Sequence, residues 1–337
     1  MNASLPSAET LRTALGAVLD GLPPRQAAQA VERLIANYRG ATPTDAPVLR
    51  DRSDVAAYAA YRMPATFEAV RSALYALADA APDWAPATHT DVGGGTGAAS
   101  WAVAETWEGS ARTTVLDWAE PALTIGAELA RGVFEADWRR ERIGGALRLA
   151  DTDLVTVSYV LNELTEADRT ALVTEAARAA RAVVIVEPGT PDGYERIIAA
   201  RDLLVAQGFT VAAPCPHSGA CPIVPGTDWC HFAARVSRSS LHRQVKGGSL
   251  PYEDEKYAYV AATRFPAAQE TSAAPAVAVT PVTARITRRP QIRKGQVLLE
   301  LCGPDGLGRE TVTKRHGALY KEARDAEWGD PWPPAED

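Results

Sequence analysis

Apolar residues recur at helical spacing in the first quarter of the chain. Leu11, Leu15, Val18 and Leu19 fall on one face, Pro23 and Pro24 interrupt the pattern, and Ala27 to Tyr38 resume it. A second helical stretch runs from Val55 to Ala80. Within it, Pro64 of YRMPATFEAV is expected to open a new helix, because proline fits a first turn. From His89 the texture alternates. THTDVGGG reads as a strand entering a glycine turn, AASWAVAETW as a helix, RTTVLDWA as a strand ending at Asp117, and PALTIGAELARG as a helix. DLVTVSYVLNEL at 153–164 is a buried strand running to a loop, EADRTALVTEAARAA a helix, and AVVIVEPG a strand. This alternation predicts an α/β fold, a mostly parallel sheet with helices on both faces.

GFTVAAPCP and KYAYVAATR read as later strands, with a cysteine-bearing insertion at about 213–248 between them. FPAAQETSAAPAVAVTPVTA has linker composition. Beyond it, QVLLELC, the turn PDG and ETVTK read as a β hairpin. The expected organisation is a helical region at 1–85, an α/β domain at 86–264, a linker at 265–284 and a small C-terminal β unit at 285–330.

With 46% hydrophobic and 23% charged residues, the composition is that of an ordinary globular protein. Nothing approaches eighteen consecutive apolar residues, so no membrane span is expected. The first residues carry no basic leader, so a cytoplasmic protein is expected, where structural disulfides are rare. The net charge of −7 argues against a uniformly basic nucleic-acid binder, but it is unevenly spread. Residues 1–234 carry 19 basic and 29 acidic groups, and residues 235–321 carry 15 and 7. Such a basic C-terminal face can hold phosphates, or it is an uneven solvated surface.

The glycine turn reads Asp91-Val92-Gly93-Gly94-Gly95-Thr96-Gly97. Glycines there let backbone approach a ligand, and the following helix start supplies free N–H groups. The spacing is tighter than the G-x-G-x-x-G of dinucleotide sites. It resembles the D/E-x-G-x-G-x-G loop of class I methyltransferases, a Rossmann-like fold that holds S-adenosylmethionine. Asp117 stands at the end of the next strand, where an acid can accept both ribose hydroxyls. The cofactor-binding candidates are therefore Asp91, Gly93, Gly94, Gly95, Gly97 and Asp117. The alternative is a relic fold that no longer binds cofactor. The fourth strand ends in Ser158-Tyr159-Val160-Leu161-Asn162-Glu163-Leu164. It lacks the N/D-P-P-Y/F pattern of amino-methylating enzymes and the cysteine nucleophile of cytosine C5 enzymes. Asn162 and Glu163 are the nearest polar candidates for catalysis, with helix capping as the competing role.

The four cysteines follow the pattern C-x5-C-x8-C-x71-C, at Cys215, Cys221, Cys230 and Cys302. Zinc sites bring their ligands in close pairs, which are missing here. Four thiols suit a fully ligated, structural [4Fe–4S] cluster. One zinc ion is the alternative, and four ordinary buried thiols another. His217 and His231 flank the cysteines as substitute ligands or outer partners.

YRMPAT, DVGGGTG, SYVLNEL, CPHSGACPI, DWCHFAARVSRSSLHRQVKGG, YEDEKYAYVAATR, LLELCGPDG and WGD together resemble one family across nearly the whole chain. It is the methyltransferase-like ribosomal small-subunit protein family of mitochondria and bacteria. The resemblance implies a role in small-subunit assembly through contact with its rRNA, and a [4Fe–4S] cluster on the four matching cysteines. It is compatible with a bacterial cytoplasmic member acting as a monomer on small-subunit rRNA or the pre-small subunit. The first function expected is an rRNA-directed methyltransferase, and its rival a non-catalytic assembly factor. Charge supplies RNA-binding candidates: Arg285, Arg288, Arg289, Arg293 and Lys294 in one acid-free span, and Arg235, Arg238, Arg243 and Lys246 after the third cysteine.

Overall fold

The computed structural model describes residues 5–19, 25, 28–32, 52–108, 111–238, 250–265, 279 and 282–334. Helix α1 (Ala8–Leu19) buries Leu11 and Leu15 against α2 (Arg52–Ala80). Helix α2 is continuous over 29 residues and carries Pro64 in its interior, so the expected helix start there is corrected. Burial explains the tolerance. Met63, Ala65, Phe67, Ala69 and Val70 all sit in the main core, and that packing outweighs the lost backbone hydrogen bond.

The alternating segment forms β1 (Thr88–Val92), α3 (Ala98–Thr106), β2 (Arg112–Asp117), α4 (Glu120–Ala130), β3 (Ala136–Arg140) and β4 (Thr152–Ser158). It continues as α5 (Glu166–Ala179), β5 (Ala180–Pro188), α6 (Pro191–Ala206), β6 (Thr210–Ala213), β7 (Phe232–Ser237) and β8 (Tyr252–Thr263). Thr165 and Thr190 cap α5 and α6, each side chain accepting a backbone N–H one turn on. The strand order is β3-β2-β1-β4-β5-β8-β6, with β7 also paired to β8. The first five strands of this order run parallel, and β8 is antiparallel to β5, β6 and β7. This is the class I methyltransferase sheet, and its order reverses between β1 and β4. In open α/β sheets ligands bind outside the strand ends at such a reversal.

One face of the sheet packs on α2, α3 and α4 around the fully buried Trp101, Phe67 and Ile125. The other packs on α5 and α6 through Leu172, Ile197 and Leu204. Each such side chain contributes about 1.5–3 kcal/mol by leaving water.

A second sheet follows, built from β9 (Ala284–Ile286), β10 (Gln291–Arg293), β11 (Gln296–Gly303), β12 (Gly306–Thr313) and β13 (Pro331–Trp332), with helix α7 (Ala318–Asp325). It has its own core of Ile286, Val297, Leu299, Val312, Ala323 and Trp332. Among the described residues, no helix is long and apolar enough to cross a membrane.

Candidate functional site

The glycine turn lies at the carboxyl end of β1, at the β1/β4 reversal. Gly93 and Gly94 N–H both donate to Leu116 O, at 2.8 and 3.2 Å, which draws the turn over the end of β2. Gly93 has φ +69°, and a methyl group added there would lie 2.3 Å from Val160 Cγ2. The loop therefore needs glycine at this position.

Asp91 and Asp117 divide the polar work. Asp91 is fully buried. Its Oδ2 accepts from Ser100 N (3.2 Å) and Ser100 Oγ (2.9 Å), and its Oδ1 from Thr156 Oγ1 (2.9 Å). Both oxygens are thus spent on α3 and β4, so Asp91 shapes the loop from beneath and does not line the cleft. Burial raises its carboxyl to about 6 despite these bonds. Asp117 takes the other position. Its Oδ2 accepts from Gly95 N at 2.9 Å and its Oδ1 from Ala119 N at 2.8 Å, so β2 and the loop are tied at the cleft. Burial raises the Asp117 carboxyl as well.

The end of β4 holds an arrangement that composition and spacing do not reveal. Tyr159 has φ +60°, a strained backbone for a bulky residue. Its hydroxyl donates to Glu255 Oε1 at 3.1 Å, and the Arg62 guanidinium lies 5.0 Å from its ring centroid. Arg62 forms a fork with Glu255, at 2.6 and 3.0 Å. Arg62, Tyr159 and Glu255 come from YRMPAT, SYVLNEL and YEDEKYAYVAATR, segments far apart in the chain. Next to Arg62, Met63 Sδ accepts from Thr96 Oγ1 at 3.4 Å, which joins α2 to the glycine loop.

Asn162 and Glu163 lie in the turn Leu161–Glu163 with exposed side chains. Neither caps α5, because Thr165 does. Although solvent-accessible, Glu163 stands on a crowded acidic rim. Burial, then Asp117 and Glu187, raise its carboxyl to about 7. Glu187, buried at the end of β5, accepts from Leu161 N at 3.0 Å and from Arg196 Nε at 2.7 Å.

The four cysteines are free and half-buried. Cys215, Cys221 and Cys230 pack beside the Leu172–Leu204 core, and Cys302 comes from β11. Despite their partial exposure, enough protein surrounds them for burial to be the main influence. It raises Cys215, Cys230 and Cys302, the last to about 11, and each of the three also feels neighbouring thiols. Tyr194 Oη lies 3.2 Å from Cys221 Sγ. Among the described residues, no group of three or more His, Cys, Asp or Glu side chains is arranged to hold a metal ion. The histidines are placed differently: His217 Nε2 is buried without a partner, and His231 stacks on Trp229 at 5.3 Å.

The basic candidates divide. Arg285 is only 7% exposed, donates from Nε to Pro214 O (2.8 Å) and from Nη1 to Gly329 O (2.9 Å), and is removed from the phosphate-binding set. Arg288 forks Asp228 at 2.7 Å, so its charge is already paired. Arg235 and Arg238 pair with Asp254 and Glu253 along the β7–β8 hairpin. Arg243 and Lys246 lie outside the described residues. Arg289 is 74% exposed and 3.9 Å from Asp254. Arg293 and Lys294 are exposed, and the sheet brings exposed Lys314 and Arg315 beside them, since Lys314 N donates to Gly295 O at 3.2 Å. Register alone joins these two pairs, and only the β11–β12 pairing reveals it.

Among solved structures, the fold is similar to magnesium protoporphyrin IX methyltransferase of Synechocystis PCC 6803, at 14% identity and TM-score 0.40, covering 78% of this chain and 100% of that one. It is also similar to N-methyltransferase NodS of Bradyrhizobium japonicum, at 14% identity and TM-score 0.39, covering 59% and 96%. Among curated proteins, the human mitochondrial ribosome assembly protein METTL17 is 29% identical over 296 residues, 81% of this chain and 61% of that protein. The Rsm22-cox11 tandem protein 2, mitochondrial, of Schizosaccharomyces pombe is 29% identical over 184 residues, 45% of this chain and 24% of that protein. The chain thus spans about three fifths of one relative and a quarter of the other. Both relatives are mitochondrial proteins, and this overturns the expectation of a cytoplasmic protein. The family model described as mitochondrial small ribosomal subunit Rsm22 matches residues 52–333, most of the length, and the chain belongs to that family.

Proposed function

We propose that this chain is an S-adenosylmethionine-binding, methyltransferase-like protein that acts on the small ribosomal subunit during its assembly. The observation that carries the cofactor reading is the glycine turn tied to Asp117 at the sheet's reversal point. A carboxylate offers about four lone-pair positions. Gly95 and Ala119 each occupy one oxygen of Asp117, and the remaining acceptor capacity would serve the ribose. Gly93, Gly94 and Gly97 shape the turn against Val160, Asp91 and Trp138, and Gly95, where an added methyl group meets nothing nearer than 3.7 Å, would face the methionine end. Trp118, next to Asp117 and 43% exposed, offers an aromatic face to the base. Bound there, the cofactor would supply an electrophilic methyl group. Glu163, with its carboxyl near neutrality at the same mouth, can take the proton that a polar acceptor gives up.

The ribosomal part rests on the family and on the human relative's description as an assembly protein. Arg289, Arg293, Lys294, Lys314 and Arg315 form the basic edge we assign to rRNA phosphates. The four cysteines would hold one [4Fe–4S] cluster. Their donor chemistry suits that group, since four free thiols from separate segments come close enough to feel one another. One zinc on the same ligands is the alternative, and iron, sulfide and zinc analysis of anaerobically prepared protein separates the two.

A second reading keeps the same cofactor site and partner without methyl transfer. The end of β4 favours it, because Ser158-Tyr159-Val160-Leu161 lacks the N/D-P-P-Y/F pattern and Tyr159 is engaged by Arg62 and Glu255. Calorimetric titration with S-adenosylmethionine tests the site itself. The protein should bind, and Asp117→Ala should bind about 1–3 kcal/mol more weakly. No binding at millimolar ligand would remove the cofactor reading.

A further inference from the structure

The fold surrounds the cysteines with arginines that the sequence does not connect to them. Arg201, on α6, is 2% exposed. Its Nη1 donates to Asp202 Oδ1 at 2.7 Å, and its Nη2 to His217 O at 3.1 Å and to Gly219 O. Those carbonyls lie in the loop between Cys215 and Cys221, and the guanidinium also lies against the Cys215 thiol. Its Nε is buried without a partner. Arg285 approaches from β9, where it stands opposite Cys302 in the β9–β11 register. Its donors take Pro214 O, the carbonyl before Cys215, and Gly329 O in the C-terminal segment.

These two cations have little compensation. The carboxylate beside Arg201 belongs to Asp202, which is 59% exposed. Arg285 makes no ion pair among the described residues. A buried cation is costly unless an anion answers it. Neutral thiols do not answer it, whereas thiolates do. Arg285 also bridges the first sheet's insertion and the second sheet, so its environment couples the two.

We propose that Arg201 and Arg285 are the built-in counter-charges of an anionic four-thiolate centre, so that filling the centre and locking the C-terminal sheet against the insertion are one event. The proposal rests on the four-cysteine centre described above, and it holds for iron–sulfur or zinc, since both take thiolates. Either arginine acts through the cysteines as a positioning residue.

The test uses the full chain, prepared anaerobically as parent, Arg201→Gln, Arg201→Lys and Arg285→Gln. Bound metal and sulfide are measured, then metal loss to excess chelator, then thermal unfolding of the loaded and stripped forms. The parent should be clearly stabilised by loading. The two Gln variants should retain metal about 10-fold or more less well. Their gain in unfolding temperature on loading should shrink, and Arg201→Lys should recover part of it, because it keeps the charge. Equal destabilisation of the loaded and stripped forms, with metal retention unchanged, would make the arginines mere loop clamps and overturn the proposal. Should Arg201→Gln not fold, Arg201→Lys and Arg285→Gln give the same comparison. A parent free of metal would overturn the four-cysteine centre itself, a result distinct from a failure of the variants.

Discussion

Asp91→Asn probes how the fold holds its loop. Asp91 anchors a buried chain of polar groups, Asp91–Thr156–His89–Thr113, with Thr156 Oγ1 to His89 Nε2 at 2.8 Å and His89 Nδ1 to Thr113 Oγ1 at 3.3 Å. Thr156 must donate to the carboxylate, so His89 donates from Nε2 to Thr156 and accepts from Thr113. An asparagine can keep its oxygen on Ser100 and donate its amide to Thr156. Thr156 then donates to His89, the imidazole changes tautomer, and every group stays paired. What changes is the charge. Burial raises the Asp91 carboxyl from 3.8 to about 6, so its ionised form is disfavoured in the folded state. A raised acid pKa opposes folding at high pH, and the penalty disappears as pH falls through the folded and then the unfolded value. At pH 7.5 the penalty is about 3 kcal/mol, and by pH 4.5 it has fallen to about 1. His89, held neutral by burial with its pKa lowered to about 3, destabilises the fold below pH 6.5 in both proteins, so it cancels in their difference. Urea unfolding of parent and Asp91→Asn at the two pH values reads this directly. The variant should be at least as stable as the parent at pH 7.5, and its advantage should decline by about 2 kcal/mol at pH 4.5. A variant destabilised by the same amount at both pH values would refute the reasoning, because a pH-independent cost is that of lost hydrogen bonds and not of a disfavoured charge.

Gly93→Ala should abolish cofactor binding and lower the unfolding temperature, since a methyl group 2.3 Å from Val160 Cγ2 adds a clash to about 1–2 kcal/mol of left-handed strain; unchanged calorimetry would mean the loop has another shape. Glu255→Gln removes the carboxylate forked by Arg62 and should cost about 2 kcal/mol in urea unfolding; no change would show that this cluster is held by packing alone. Lys294→Glu with Lys314→Glu should weaken RNA binding and reduce the log–log salt slope by about 2. An unchanged slope moves the RNA contact away from this edge of the second sheet.

The class of fold was legible because two periods are written plainly into the chain. Helical spacing gives way at His89 to short apolar runs, and glycines mark the turn where the first run ends. Asp117 was placed correctly at its strand end for the same reason. What escaped was decided by packing. Strand β3 reads Ala-Asp-Trp-Arg-Arg, too polar to announce itself, yet Trp138 fills the space beside Gly97 and Gly126. Pro64 reads as a helix start but lies inside a helix held by core contacts on both sides. Arg285 and Arg288 belong to a basic run that charge counting assigns to phosphates, and β9 turns the first inward to Pro214 while Asp228 claims the second. Lys314 and Arg315 are invisible as partners of Arg293 and Lys294 until strand pairing joins them. Arg62, Tyr159 and Glu255 are likewise united only by the sheet and by α2.

The central proposal is that this methyltransferase-like chain works on the small ribosomal subunit through the basic edge of its second sheet. Its most direct test is to purify the tagged full chain from its own cells after mild crosslinking and to sequence the RNA that comes with it. Small-subunit rRNA should be enriched over large-subunit rRNA, and reversal of Lys294 and Lys314 to Glu should lower that enrichment. Equal recovery of both rRNAs, at the level of an untagged control, would contradict the account.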